Sequence, residues 1–468
     1  MSLMENRYDY IIIGGGLNGL GIAALLSNNR KIVLVLEKNN FLGGRLKISK
    51  IHDFILEEGL HFLKYAWKSG LNQILEELGY KKEKRLFIKP ILNYFLFVGN
   101  ELKSLDIDIK EIFIRKWFDK GWISVPKNMD EIRSHYYFNT WNLMHIFTKC
   151  FKIEYIKLCQ KNLQELQKET NLNNIAYKYL LSAAGALLKF PYPDEVSAGE
   201  IIRHIKYSSK MPTLFGYPKN GWNSILNIFN QEIQKNGTIF TNCIVDKILF
   251  TEFVIDKRLK AIGVKTNLGE FYSENVIVAT EPENIPNLFL KPNGDSYLNL
   301  DLLDFIKKIK STAGITIYLG FNKKIYHGLS FIYIENPHIY GIFLSNLESN
   351  IVPLGKQLFG AFIPVKLNEI ENEKIVEKYI ETSIEKIFNL FPKFKDNLLF
   401  KQIYIHKKID SIQPIPDFCK LKRPSIHIDN IENCYLIGDY INTSGSGGEI
   451  GYNSVLELYN YLKKAGKI

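Results

Sequence analysis

Cysteine is scarce and scattered in this chain of 468 residues. Its five cysteines (Cys150, Cys159, Cys243, Cys419, Cys434) form no CxxC pair and no even set of close spacings. That argues against a disulfide framework, a zinc site or an iron–sulfur cluster, so no metal is expected, and it fits a reducing compartment. No apolar run approaches the ~20 residues that cross a bilayer, so any membrane association is peripheral. There is no dense Lys/Arg cluster and no usual nucleic-acid module, which argues against a nucleic-acid partner. A G-x-S-x-G elbow, an H-E-x-x-H pair and a P-loop are all missing, which leaves no competing hydrolase, metalloprotease or nucleotide-triphosphatase signature. The first expected strand begins at about Tyr8 and leaves no room ahead of it for a signal or transit peptide. A cytoplasmic location, peripheral on a membrane at most, is the expectation.

What is present is an ordinary globular composition, 46% hydrophobic and 23% charged, long enough for two domains or one large discontinuous assembly. The net charge of +11 has two readings. One is a basic surface that attracts anionic lipid; the other is compositional bias, since Ile, Asn, Lys, Tyr and Phe are used heavily throughout. An aromatic share of 13% suits a large apolar pocket or a membrane-touching face.

The chain opens as strand, glycine turn, helix, strand. Tyr8–Ile13 is a short apolar run suited to a parallel strand buried on both faces, and Lys31–Leu36 is the next strand. Residues 100–210 read as mostly helical and aromatic-rich, with Tyr136, Tyr137, Phe138, Trp141, Phe147 and Phe151. Strands are expected at Thr238–Phe240, Ile244–Val245, Ala261–Val264 and Val276–Ala279, again at Ile315–Gly320, and last at Tyr435–Ile437 before a glycine-rich turn and a closing helix from about Ile450.

Gly14-x-Gly16-x-x-Gly19 has a mechanical reason at each glycine: a tight turn, approach of backbone to a pyrophosphate, and close packing of helix on strand. The helix that follows offers free N–H groups and a partial positive charge to phosphates. Glu37 ends the second strand 18 residues beyond Gly19, where a carboxylate can accept both hydrogen bonds of an adenosine ribose. Phe41-Leu42-Gly43-Gly44-Arg45-Leu46 follows almost at once, with a Gly-Gly pair that permits close backbone approach and an arginine that offers a planar fork of donors.

The stretch from Asp9 to Arg45 resembles the N-terminus of the flavin-containing amine oxidase and phytoene desaturase superfamily. Further segments match in the same order: Glu58-Gly59-Leu60-His61, Tyr217-Pro218-Lys219-Asn220-Gly221-Trp222, Ile244-Val245-x-x-Ile248, Val278-Ala279-Thr280, Gly438-Asp439 and Gly447-Gly448-Glu449-Ile450-Gly451. In the desaturase element at 217–222, Asn220 stands where the family has the first glycine of a pair. The resemblance implies an α/β protein: a discontinuous Rossmann-type FAD-binding domain (1–85, 212–290, 412–468) and a mixed α+β substrate domain with a helical cap (86–211, 291–411). It further implies that non-covalent FAD is held by Gly14, Gly16, Leu17, Asn18, Gly19, Glu37, Lys38, Gly43, Gly44, Arg45, Gly59, Leu60, His61, Val245, Thr280, Gly438, Asp439, Gly448, Glu449 and Ile450. His61 is the histidine placed beside the cofactor and a candidate for a catalytic part; Tyr440 is a second candidate, as an aromatic wall or as simple packing.

The residues leave the reaction open among three readings. The first is a desaturase or isomerase of a lipophilic isoprenoid or polyene, favoured by the 217–222 element and the aromatic-rich middle. The second is an oxidase of small amines. The third is a non-catalytic lipid-binding escort of the Rab GDP-dissociation-inhibitor type, a group that tends to lose the C-terminal flavin segment this chain retains. No second dinucleotide fingerprint is present, so oxygen or a quinone, rather than NAD(P), is the expected electron acceptor. A cap over residues 120–215, with Trp141, Leu143, Met144, Ile146 and Phe147 on one apolar helical face and Arg133, Lys149, Lys152 and Lys157 beside it, is expected over an apolar cavity.

Overall fold

A computed structural model describes residues 7–59, 61–80, 88–91, 95–98, 122–124, 146, 148–208, 215–252, 258–327 and 331–468. Two large sheets organise them. The first has eight strands, in the order Gly237–Phe240, Val33–Leu36, Arg7–Ile13, Gly269–Val278, Leu259–Thr266, Ile431–Leu436 and His427–Ile428, with Val245–Glu252 paired to Leu259–Thr266. Its central strands are parallel: Ile11–Ile13 lie beside Val276–Val278 on one side and Leu34–Leu36 on the other. These residues are buried on both faces, which is why they read as continuous apolar runs without alternation. The long strand Gly269–Val278 changes partner along its length. Its first half pairs with Leu259–Thr266, and Val276–Val278 pair with Cys434–Leu436 from near the end of the chain.

Helix Leu17–Asn28 covers this sheet and packs against the last helix, Gly448–Lys464. Contact between them is close at Asn18 and Gly451, where a Cβ on Gly451 would stand 2.3 Å from the Asn18 amide.

The second sheet has seven strands, in the order Leu398–His406, Ala313–Phe321, Gln357–Val365, Ile339–Ile342, Phe331–Ile334, Phe95–Val98 and Trp122–Ser124. Here period-two alternation sorts side chains cleanly. Ala313, Ile315, Ile317, Leu319 and Phe321 enter a core shared with helix Glu373–Leu390 and with Phe343, Phe359, Phe391 and Phe394, while Tyr318 joins the main core on the opposite face. Trp122–Ser124 is a short strand inside the stretch 100–210 that was expected to be mostly helical, and Phe95–Val98 is a strand just ahead of that stretch. Among the described residues, helices follow at Tyr155–Cys159, Leu163–Thr170, Asn174–Leu188 and Ala198–Ser208. Tyr136, Tyr137, Phe138, Trp141, Leu143, Met144, Phe147 and Arg133 lie outside the described residues.

Helix Asn174–Leu188 docks on the second sheet at one tight point. The Tyr340 hydroxyl donates to the Ser182 carbonyl at 3.0 Å, and a Cβ on Gly185 would stand 1.9 Å from the Tyr340 oxygen. A small three-stranded sheet (Leu63–Lys64, Phe215–Pro218, Ile88–Ile91) bridges the two large ones. Among the described residues, no helix is long and apolar enough to cross a membrane.

Candidate functional site

A cavity of about 720 Å³ runs from the glycine turn after the first strand to the underside of helix Asn174–Leu188. Most of its polar end is backbone. Gly14 adopts φ +111°, and a Cβ there would stand 2.6 Å from the Ala279 carbonyl oxygen; a Cβ on Gly19 would stand 2.0 Å from the Gly14 oxygen. Neither position tolerates a side chain. Gly19 therefore acts from beneath the turn, off the cavity wall. Gly43 donates from its N–H to the Gly15 carbonyl at 2.9 Å, laying the second glycine loop alongside the first. Helix Leu17–Asn28 begins here with no side-chain cap and no acidic residue in its first turn, so its leading N–H groups are left for a ligand.

Glu37 is 5% exposed and lines this end. One carboxylate oxygen accepts from Gly15 N at 2.7 Å, and the other from Asn39 N and Nδ2 at 2.8 and 2.7 Å. The expected ribose acceptor is thus also a brace for the glycine turn, a role the sequence did not disclose. Lys38, Val245 and Thr280 line the same end, as expected, together with Asn39, Cys243 and Asn284.

In the middle of the cavity Arg45 forms an ion pair with Asp439 at 2.9 Å and donates to the Ile409 carbonyl at 2.6 Å. Asp439 also accepts from Ser411 N at 2.9 Å. Burial pushes the Asp439 carboxyl up, but the Arg45 guanidinium outweighs that and holds it at about 2. Gly438 and Gly448 line the wall, and so does Glu449, whose Oε1 accepts from Gly70 N at 2.7 Å. Burial pushes Glu449 up to about 8. Ile450 departs from expectation: it is buried away from the wall, and its N–H is already bonded to the Gly447 carbonyl. Tyr440 likewise forms no aromatic wall; its ring packs beneath Gly438, where a Cβ would stand 2.6 Å from it. Leu60 lies outside the described residues.

The Gly59–His61 turn is fastened from three directions. Tyr318 OH donates to the carbonyls of Glu57 and Gly59 at 2.9 and 2.7 Å, Trp222 Nε1 donates to the His61 carbonyl at 3.3 Å, and Tyr217 OH donates to Glu57 Oε1 at 2.6 Å. The 217–222 element is therefore a clamp on this turn. Asn220, where the family has glycine, adopts φ +63°, a left-handed conformation that asparagine tolerates better than most residues. Glu57 sits buried inside the clamp, and burial pushes it up to about 8 against the pull of the Tyr217 and Trp222 hydrogen bonds.

Beyond the turn the wall becomes apolar and basic: Phe62, Phe215, Trp222, Tyr340 and Phe362, with Lys64 and Lys189. Lys189 pairs with Asp410 at 2.6 Å. Lys64 is 6% exposed and has no carboxylate partner among the described residues; its ammonium donates to the carbonyls of Leu187 and Ser446 and to the Ser446 hydroxyl. Burial, then the nearby Lys189 charge, lowers it to about 7. His61 is lowered to about 3 by burial and by Lys189, so its imidazole is neutral at physiological pH. Four buried polar atoms on the wall have no hydrogen-bond partner among the described residues: His61 Nε2, Thr316 Oγ1, His406 Nε2 and Glu449 Oε2.

These features fit FAD. There is a bare glycine cradle at a helix start, an acidic residue at the end of the second strand, an arginine fork in the middle and a second helix start at Gly448. The cavity falls within the usual range for a cofactor site.

The chain is similar to several known proteins. A family described as an NAD(P)-binding Rossmann-like domain matches residues 12–78. A phytoene desaturase of Cercospora nicotianae is 30% identical over 145 residues, 29% of this chain and 22% of that protein. A 4,4'-diapolycopen-4-al dehydrogenase of Metabacillus indicus is 21% identical over 511 residues, covering 97% of this chain and 98% of that protein. Among solved structures, an oxidoreductase from Methanosarcina mazei superposes with a TM-score of 0.71 at 18% identity, covering 97% of this chain and all of the other. Wild-type putrescine oxidase bound to putrescine superposes at 0.67 and 13% identity, covering 99% of each. A Rab GDI from Plasmodium falciparum is more distant, at 0.50 and 17% identity, with 98% of each chain covered. The structural likenesses concern the fold.

Proposed function

We propose that this chain, which belongs to the FAD-dependent oxidoreductase superfamily of phytoene desaturases and flavin amine oxidases, oxidises or isomerises a lipophilic isoprenoid or polyene. The observation that carries the substrate class is the wall beyond the Gly59–His61 turn. Aromatic rings line it together with the cations Lys64 and Lys189, and the carboxylates Glu58 and Asp410 on the cavity lining are paired with Lys47 and Lys189. A protonated amine placed there meets like charge. Asp410 is spent on Lys189, and Glu449, held at about 8, is largely protonated at neutral pH. An uncharged hydrocarbon meets apolar surface, worth roughly 25 cal/mol for each Å² removed from water. Of the two relatives, one is named for phytoene and the other for a carotenoid aldehyde.

When bound, FAD supplies a two-electron acceptor. The protein's part is to hold and orient. The helix start at Leu17 and the Arg45 fork would hold the pyrophosphate and Glu37 the ribose, while the clamp of Tyr217, Trp222 and Tyr318 keeps the Gly59–His61 turn against the cavity. Tyr340 and Phe362 from the second sheet, with Phe215 from the small sheet and Phe62 and Trp222 beside it, exclude water. Oxygen or a quinone would serve as the final electron acceptor, and a substrate of this class would be drawn from a membrane that the protein would bind peripherally.

The test is anaerobic reduction of the FAD-loaded protein by a polyene in detergent micelles and, separately, by putrescine. The reading expects the polyene alone to bleach the flavin band or, with the flavin reduced beforehand, to be isomerised without net oxidation. Bleaching by putrescine alone, with no flotation on neutral or anionic liposomes at any salt, overturns it in favour of an amine oxidase.

A further inference from the structure

Three of the unpartnered polar atoms, His61 Nε2, Thr316 Oγ1 and His406 Nε2, line the same cavity. Thr316 and His406 come from neighbouring strands of the second sheet. Thr316 pairs with Tyr404 and Gly314 with His406, so Thr316 and His406 occupy the same face two residues apart in register. Thr316 is fully buried. The third atom comes from the Gly59–His61 turn on the same cavity: the His61 ring lies against Gly59 and Trp222, close enough to His406 for each imidazole to disfavour the other's protonation. Both imidazoles are held neutral by burial, so each offers a ring nitrogen as donor or acceptor. Thr316 has isoleucine on either side of it on its strand, where a valine fills the same space without the hydroxyl. A buried polar atom left without a partner costs free energy that only a ligand or water repays, and three in one cavity are unusual.

We propose that His61, Thr316 and His406 form a subsite that hydrogen-bonds an oxygen function, a carbonyl or hydroxyl, carried by the lipophilic substrate. The proposal rests on the isoprenoid reading above and narrows it: a pure hydrocarbon leaves these three atoms unpaired, whereas an alcohol or aldehyde pairs with them. The subsite fixes which part of a long, flexible chain stands before the cofactor, which apolar contacts alone do not do.

The experiment uses three isoprenoids of equal length, farnesene, farnesol and farnesal, titrated into the FAD-loaded protein at fixed detergent while the flavin spectrum is followed. Farnesol or farnesal is expected to bind at least about tenfold more tightly than farnesene, because a site built around a hydrogen bond rejects the analogue that lacks it. Thr316→Val and His406→Phe are each expected to bring that ratio toward one, with FAD affinity and melting temperature unchanged. Equal binding of the three probes by the wild type overturns the proposal and assigns the three atoms to water. A ratio retained in both variants also overturns it. Loss of FAD from Thr316→Val shows that the hydroxyl serves the cofactor and overturns it as well. Failure of all three probes to perturb a well-formed flavin spectrum sinks the isoprenoid reading itself, and the subsite with it. A protein that takes up no FAD sinks the cofactor assignment first.

Discussion

Arg45 and Asp439 stand 394 positions apart in the chain and meet at 2.9 Å in the middle of the cavity. Each belongs to a different glycine-rich segment, so their ion pair is the point at which the two ends of the cofactor site are joined. Arg45→Met leaves Asp439 buried with Ser411, through its N–H and side chain, as its donor among the described residues. With the arginine about one-third exposed, the expected loss is about 1–3 kcal/mol, below the range for a fully buried pair. Urea denaturation of the FAD-free protein measures it. Because Asp439 is held at about 2 by Arg45, the variant is also expected to lose an acid-side stability that the wild type keeps down to low pH.

Glu37→Ala removes the ribose acceptor and the brace on Gly15 and Asn39 together. FAD affinity is expected to fall by about 1.5–3 kcal/mol, roughly ten- to a hundredfold, as read by fluorescence on titrating FAD into the apoprotein. An unchanged dissociation constant places the ribose elsewhere.

Glu57 ionises near 8 in the fold against an ordinary 4.5. The folded state therefore binds its proton more tightly, and the stability this confers is lost as pH rises from about 4.5 to about 8. Glu57→Gln keeps an acceptor for Tyr217 and has no proton to lose. Its melting temperature is expected to decline less than that of the wild type between pH 6 and pH 9, a difference visible by calorimetry.

Lys64, lowered to about 7, and Glu449, raised to about 8, both make the cavity more positive below neutrality. FAD carries negative phosphates, so its dissociation constant is expected to rise between pH 6 and pH 8.5. Lys64→Met is expected to flatten that rise and to loosen FAD at pH 6, since Ser446 loses its buried donor. A pH dependence as steep in the variant as in the wild type assigns the titration to other groups.

NADH and NADPH are expected to reduce the bound flavin slowly. The single glycine fingerprint of the chain, within the Rossmann match at residues 12–78, is committed to the cavity together with the C-terminal segment. Rapid anaerobic bleaching in stopped flow by either nucleotide is the outcome that contradicts this.

The parts of the site that were legible in the sequence are those whose reason is local. Gly14, Gly16 and Gly19 answer to one turn and one helix start, and Glu37 stands at a fixed remove from them on the next strand. Asp439 and Gly448 were legible by family resemblance, because nothing nearby says which distant cavity they face. Lys64, Thr316 and His406 were not legible. Lys64 sits between Leu63 and Tyr65 and reads as the solvent side of an alternating strand; only the docking of helix Asn174–Leu188 and the 445–447 loop buries it. Thr316, in Ile315-Thr316-Ile317, reads as ordinary strand propensity. The strand Phe95–Val98 was missed for a related reason, since a short apolar run carries no period that tells strand from helix. Tyr440 and Ile450 were placed too near the cofactor because proximity along the chain stood in for direction.

The divided pairing of strand Gly269–Val278 sets the order in which this molecule is completed as it leaves the ribosome. Its first half is matched at once by the neighbouring hairpin strand, but Val276–Val278 wait for Cys434–Leu436. For more than a hundred and fifty residues of synthesis a fully apolar parallel edge has no permanent neighbour, the kind of edge that recruits other chains. A nascent chain stalled before residue 430 is thus a sticky, cofactor-free species, and the last strand is both the lock of the nucleotide site and the cover that ends its exposure.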